Sequence, residues 1–253
     1  MAAENKIIYC VIPTSRERKF DLVGFEGEEI YTINYKDIDA VVSNISLSFE
    51  ELDPTRKNMK IHAIVLETLM KDYTVIPARF GLISNSEDKL RGLLQKYYSA
   101  FKDYIKRLDN RIEIGIKVFW EQEAMIAEID GKDQRITKLK EELKTLSPIV
   151  AQDKLIKAGE MVRSMIMTWV DRYTDTVYQQ LMKVAVDGKK NYPVDIKNII
   201  NSAFLVDKAK EKQFDALIEK LDSEYGDRIN FKYVKPVPPY NFVNLEMYLK
   251  EIL

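Results

Sequence analysis

The sequence predicts an α+β protein of two domains. Residues 1–110 read as a mixed α+β N-terminal domain and 111–235 as a C-terminal ferredoxin-like module elaborated with long helices. A tail, 236–253, is expected to dock back on the body. Three observations carry this reading. Ile112-Glu113-Ile114-Gly115-Ile116-Lys117-Val118-Phe119 alternates strictly between apolar positions and others, the period of a half-buried strand. From Asp153 to Lys183, Leu155, Val162, Met165, Ile166, Trp169, Tyr173, Val177 and Leu181 fall on one helical face. From Ile112 onwards, strands and helices alternate around that long helical excursion. Such an order suits a small antiparallel sheet covered by helices on one face.

Taken in order, Lys6–Ile12 is rich in Ile, Tyr and Val and stops at Pro13, as a buried strand does. Arg16–Glu29 is charged, contains Gly24 and Gly27, and reads as a loop. Its Gly24-Phe25-Glu26-Gly27 has acidic neighbours and precedes a strand, so it is a turn rather than a nucleic-acid loop. Ile30–Tyr35 and Ala40–Ile45 are the next strands. Asp53-Pro54-Thr55 opens a helix carrying Ile61, Ile64, Val65, Thr68 and Leu69 on one face. Val75–Phe80 is extended. Ser84 or Ser86 caps one long helix with Leu90, Leu93, Leu94, Tyr97, Tyr98, Phe101, Tyr104, Ile105 and Leu108. Beyond the strand at Ile112, helices are expected over Trp120–Ile129 and through Ile136, Leu139, Leu143 and Leu146, the latter ending or kinking at Pro148. Gly188–Pro193 reads as a loop, Ile196–Val206 as a strand, Lys208–Tyr225 as a helix and Ile229–Val234 as a strand. In the tail, Pro236, Pro238 and Pro239 impose extended geometry before Phe242, Leu245, Leu249 and Ile252 recur at helical intervals.

Composition excludes several classes. Thirty-nine basic against 40 acidic residues leave a net charge of −1 with the signs interspersed, so no phosphate-neutralising face exists and no nucleic-acid partner is expected. No apolar run is long enough to cross a bilayer, and no lipid membrane is expected as a partner. The N-terminal segment is too short and too acidic for a secretory signal. Cys10 is the single cysteine, which precludes an internal disulfide and agrees with a cytoplasmic setting.

Catalytic apparatus is not visible. His62 is the single histidine, so a histidine-rich metal site is excluded, and a Cys–His pair would have to join it to Cys10. Cys10 sits in an apolar strand, where a thiol behaves as a small hydrophobe. The nine glycines form neither a dinucleotide fingerprint nor a P-loop. Neither a cofactor nor a metal is expected, and the chain is read as a non-enzyme. On the long helix, Met165 and Trp169 share the core stripe. Met161 and Met167 fall off it, and are either further core or an adaptable apolar surface for a partner.

Two motifs remain. In Val75-Ile76-Pro77-Ala78-Arg79-Phe80-Gly81, Pro77 cannot donate to a ladder, and Gly81 tolerates positive φ. Arg79 between them is expected to be an internal clamp, paired with a carboxylate or with carbonyls, so that its loss costs on the order of 3 kcal/mol. The alternative is a partner-facing arginine flanked by Phe80. The second motif is Pro238-Pro239-Tyr240-Asn241-Phe242-Val243.

With His62 ahead of the first motif, these segments resemble the gas vesicle protein F/L family (GvpF/GvpL), in order and spacing over essentially the whole chain. Ala63 departs from the acidic residue common after that histidine. The resemblance marks His62, Pro77, Arg79, Phe80, Gly81, Pro238, Pro239, Tyr240 and Phe242 as family-motif positions, structural or partner-contacting. It implies an accessory or minor structural protein of gas vesicle assembly, cytoplasmic and vesicle-associated. Such a protein would bind the hydrophobic main shell protein and other accessory proteins during nucleation and growth. The competing function is a small-molecule enzyme using a carboxylate and Arg79 in an interdomain cleft; a third is a purely structural shell component.

Overall fold

The structure, a computed structural model, describes residues 5–46, 52–121, 123–124, 138, 141–142, 148–194 and 197–244. The helix expected through Ile136, Leu139, Leu143 and Leu146, most of that over Trp120–Ile129 with its breaker Gly131, and the terminal positions Leu245, Leu249 and Ile252 lie outside them. The protein is α+β. It divides into two compact units, one formed by Met1–Glu113 together with Lys235–Leu253, the other by Ile114–Val234.

The first unit runs β1 (Asn5–Ile12), β2 (Lys19–Val23), β3 (Glu29–Tyr35), β4 (Ile38–Ile45), α1 (Arg56–Leu69), β5 (Ile76–Pro77), β6 (Ile83–Ser84), α2 (Glu87–Lys96) and α3 (Tyr98–Leu108). Its sheet has the order β2-β3-β4-β1-β5, with β6 also on β1. Every residue of β1 is buried, which explains its unbroken apolar composition: both faces of this central strand are covered. Ile7 and Tyr9 join Val41, Ile45 and the α1 residues Val65, Leu66 and Leu69 in one core, while α2 packs on β3 and β4. Thr55 caps α1 by accepting from the Asn58 N–H at 3.2 Å, and Ser86 does the same for α2 from Lys89.

Two expectations fail here. The presumed loop 16–29 contains β2, a charged edge strand whose exposed and half-buried residues alternate and whose Lys19 pairs with Glu29 of β3 at 2.7 Å. Such a strand owes its existence to its neighbour, not to apolar content. The single long helix is two, because Tyr97 leaves helical geometry at φ −105°, ψ 17°; one apolar arc in the sequence is two faces joined at a kink.

The strand β7 (Arg111–Trp120) leads into the second unit, followed by α4 (Pro148–Met182), β8 (Asp187–Lys190), β9 (Asn198–Asp207), α5 (Glu211–Tyr225) and β10 (Ile229–Val237). The sheet order is β10-β7-β9-β8. Pro148 is the first residue of α4, a helical position that needs no N–H partner. At 35 residues α4 is about 52 Å long. Strand β8 replaces part of the expected loop, drawn into the sheet by antiparallel pairing of Asp187–Lys190 with Ser202–Leu205. Phe204 ties this core together, 5.3 Å from the Tyr178 ring of α4 and 5.6 Å from Phe214 of α5.

Candidate functional site

The first motif forms an interruption in the edge of the first unit's sheet. β1 pairs with β5 through Cys10↔Pro77 and with β6 through Ile7↔Ile83. Between these, the Ala78 N–H donates to the Tyr9 carbonyl at 2.9 Å and the Ile8 N–H to the Leu82 carbonyl at 2.8 Å. Two residues of β1 therefore span five of the opposing chain, and Arg79, Phe80 and Gly81 must loop out. The Leu82 N–H closes the turn on the Arg79 carbonyl at 3.3 Å. Gly81 completes it at φ +81°, a conformation that strains any residue with a Cβ. Such bulges on edge strands re-aim a side chain and end regular pairing.

An aromatic hub fixes the bulge from inside. The His62 ring, on α1, lies with Nε2 3.2 Å from the Ala78 carbonyl oxygen. A carbonyl only accepts, so Nε2 carries the proton and Nδ1 is left as an acceptor. Nδ1 is buried and has no partner among the described residues. Burial pulls the His62 pKa down to about 4, against a weaker opposing pull from the Ala78 carbonyl. Phe80 meets His62 edge-on at 5.8 Å and Phe25 at 6.1 Å. Tyr9 stacks on His62 at 5.5 Å and on Phe25 at 5.8 Å. Its hydroxyl sits 3.0 Å from Ser43 Oγ and accepts the Phe25 N–H at 3.1 Å. Gly24 is required beside it, since a Cβ there would lie 2.6 Å from the Tyr9 hydroxyl and 2.8 Å from Ser43 Oγ.

Phe80 is half-buried, but Arg79 is exposed, although it interacts with another group of the chain. The bulge carries Arg79 at the surface. The second motif packs on the same unit. Pro238, Pro239 and Phe242 are buried and Tyr240 is 41 % exposed. Asn241 donates its main-chain N–H to Glu113 Oε2 at 3.0 Å and its Nδ2 to Oε1 at 2.6 Å. Tyr104 adds a second tie, its hydroxyl accepting the Asn244 N–H at 3.1 Å. The two motifs are brought onto one unit. Met161 and Met167 belong to the other, on α4, with 39 % and 53 % exposure, and Leu155 and Ile156 are exposed there too.

Several residues here have no signal in the sequence. Glu113 falls on the polar phase of an alternating strand, which marks it for solvent. It is buried at 2 % exposure beneath a turn 128 residues away in the chain. Tyr9, Ser43 and Gly24 are ordinary strand and turn residues until the fold joins them. Cys10 is fully buried and burial pushes its thiol up, away from nucleophilic use. Among the described residues no cluster of three or more His, Cys, Asp or Glu is placed to hold a metal. No helix among them is long and apolar enough to cross a membrane.

The model of the gas vesicle synthesis protein GvpL/GvpF family matches residues 5–244. The chain belongs to this family. It is 27 % identical over 250 residues to gas vesicle protein F1 of Halobacterium salinarum, covering 96 % of this chain and 95 % of that relative. It is 22 % identical over 246 residues to gas vesicle protein F of Nostoc sp., covering 94 % and 97 %. Two crystal structures share the fold. GvpF from Anabaena sp. superposes with a TM-score of 0.83 at 22 % identity, covering 96 % of this chain and 99 % of that one. GvpF from Microcystis aeruginosa does so with a TM-score of 0.75 at 21 % identity, covering 95 % and 99 %. The family supports a role in gas vesicle formation, and both motifs lie within the matched span.

Proposed function

We propose that this protein is an accessory or minor structural component of gas vesicle assembly that binds the main shell protein and other accessory proteins during nucleation and growth, in the cytoplasm. The observation that carries the reading is the family match over residues 5–244. A shell subunit with a strongly apolar surface aggregates before it assembles, and a helper that masks that surface keeps it in solution. The exposed Leu155, Ile156, Met161 and Met167 of α4 are suited to such contacts, since methionine adapts to irregular apolar surfaces. On this reading α4 is the elaboration of a ferredoxin-like module, 111–235, whose strand order β10-β7-β9-β8 and βαββαβ succession favour that assignment.

A non-enzymatic role agrees with the chemistry of the two groups best placed by type to catalyse. Cys10 holds its proton, and His62 is locked as the neutral tautomer in an aromatic hub. The test is the solubility of the main shell protein expressed with and without this full-length chain, followed by co-purification. More soluble shell protein, retained with this chain, is the expected result. Unchanged solubility with incorporation into vesicles points instead to a purely structural component.

A further inference from the structure

We propose that β10 is a self-association edge, pairing antiparallel with β10 of a second copy of this chain about a twofold axis at Tyr233. This goes beyond the assembly role proposed above and does not depend on it. β10 is an outer strand of its sheet, with β7 on one side and no described strand on the other. Alternation tells which of its main-chain groups are on that open side. The Arg228 carbonyl, just ahead of the strand, accepts the Glu121 N–H, just past β7, at 2.9 Å. Even-numbered positions therefore bond across to β7, while the N–H and C=O groups of Phe231 and Tyr233 face outward.

An open edge is a template for another strand, and the outer strands β2 and β8 are blunted against this by charge or shortness. β8 is four residues long and includes Lys189 and Lys190. β2 has five, with Lys19 and Asp21 among them. β10 has nine residues and no acidic side chain, and the stretch ahead of Pro236 exposes Tyr233 and Val234 at 39 % and 64 %. Its Lys232 is drawn over the Phe119 ring at 5.1 Å, so that charge lies on the face of the sheet and not along the edge. The register argues for a second copy as the occupant. With Tyr233 on the axis, Lys232 stands opposite Val234 of the second copy and Lys235 opposite its Phe231. No like charges meet, and the two tyrosines form an aromatic cross-strand pair.

Sedimentation equilibrium of the full-length chain tests this. Wild type should show a mass that rises with concentration towards twice that of one chain. Tyr233→Lys sets two ammonium groups against each other on the axis and should stay monomeric where wild type is paired, whereas Tyr233→Phe should pair as wild type does. Tyr233→Cys adds an accessible thiol to a chain whose own Cys10 is fully buried, so a short bismaleimide should join its copies. Val23→Cys, on β2 at 70 % exposure, should stay single under the same treatment. A wild-type monomer at every concentration overturns the proposal. A dimer that Tyr233→Lys leaves intact, or equal cross-linking at Val23, overturns it too. Circular dichroism checks that Tyr233→Lys is folded; if it is not, the two cysteine variants decide. The solubility test of the assembly role stands whichever result is found.

Discussion

Neutral His62 makes folding stability depend on pH in a definite direction. Its folded pKa of about 4 lies below the ordinary 6.5, so between those values the unfolded chain takes up a proton that the native protein does not. Stability is therefore lost as pH falls from about 6.5 to 4, by on the order of 3 kcal/mol in total, and this contribution is flat outside the window. Denaturant midpoints from pH 4.5 to 7 should slope for wild type and flatten for His62→Gln; equal slopes would show that another group governs. Gly24→Ala should cost about 1–3 kcal/mol, because the added methyl meets the Tyr9 and Ser43 hydroxyls and must push them apart. A thermal melt reads this directly, and a wild-type melting temperature would contradict the packing. At this scale the sequence exposes His62 and Arg79 through their motif but not their settings. Arg79 faces outward because of a register mismatch between β1 and its edge partners, and such a mismatch has no composition of its own.

Among the elements, the turn Tyr240–Phe242 depends on β7 through a single carboxylate. Asn241→Ala removes the Nδ2 donor from buried Glu113 and should cost about 1–3 kcal/mol, the range for taking a hydrogen bond away from a buried group. It should also speed proteolytic cleavage near Lys235. Unchanged protection in limited proteolysis would mean that Pro238, Pro239 and Phe242 hold the turn by burial alone. The strongly patterned elements, β1, β7 and α4, were legible as elements because an apolar run or a regular period marks them, although Glu113 on β7 departs from its pattern. β2 and β8 were not. Their Lys19-Phe20-Asp21 and Asp187-Gly188-Lys189-Lys190 are polar edge sequences that become strands only when β3 and β9 offer free ladder groups.

On the scale of the whole molecule, the balance of 39 basic and 40 acidic residues provides no single-sign field for steering a partner. Shell-protein binding should rest chiefly on apolar and aromatic contact. It should persist when salt is raised until the Debye length falls to roughly 3–5 Å, with a negative heat-capacity change. Calorimetric titration at two temperatures and two salt concentrations measures both. A steep log-linear loss of affinity with salt would defeat this expectation. The α+β class was readable from patterning alone, whereas which unit receives the C-terminal tail was not, because a contact between Glu113 and Asn241 leaves no trace in local sequence. That membership has a consequence for biosynthesis. The first unit is assembled from residues at both ends of the described chain, with Ile114–Val234 inserted between them. A ribosome thus releases all of the inserted unit before the piece that finishes its host. The arginine bulge is translated before the inserted unit, yet the unit that carries it is completed only after it.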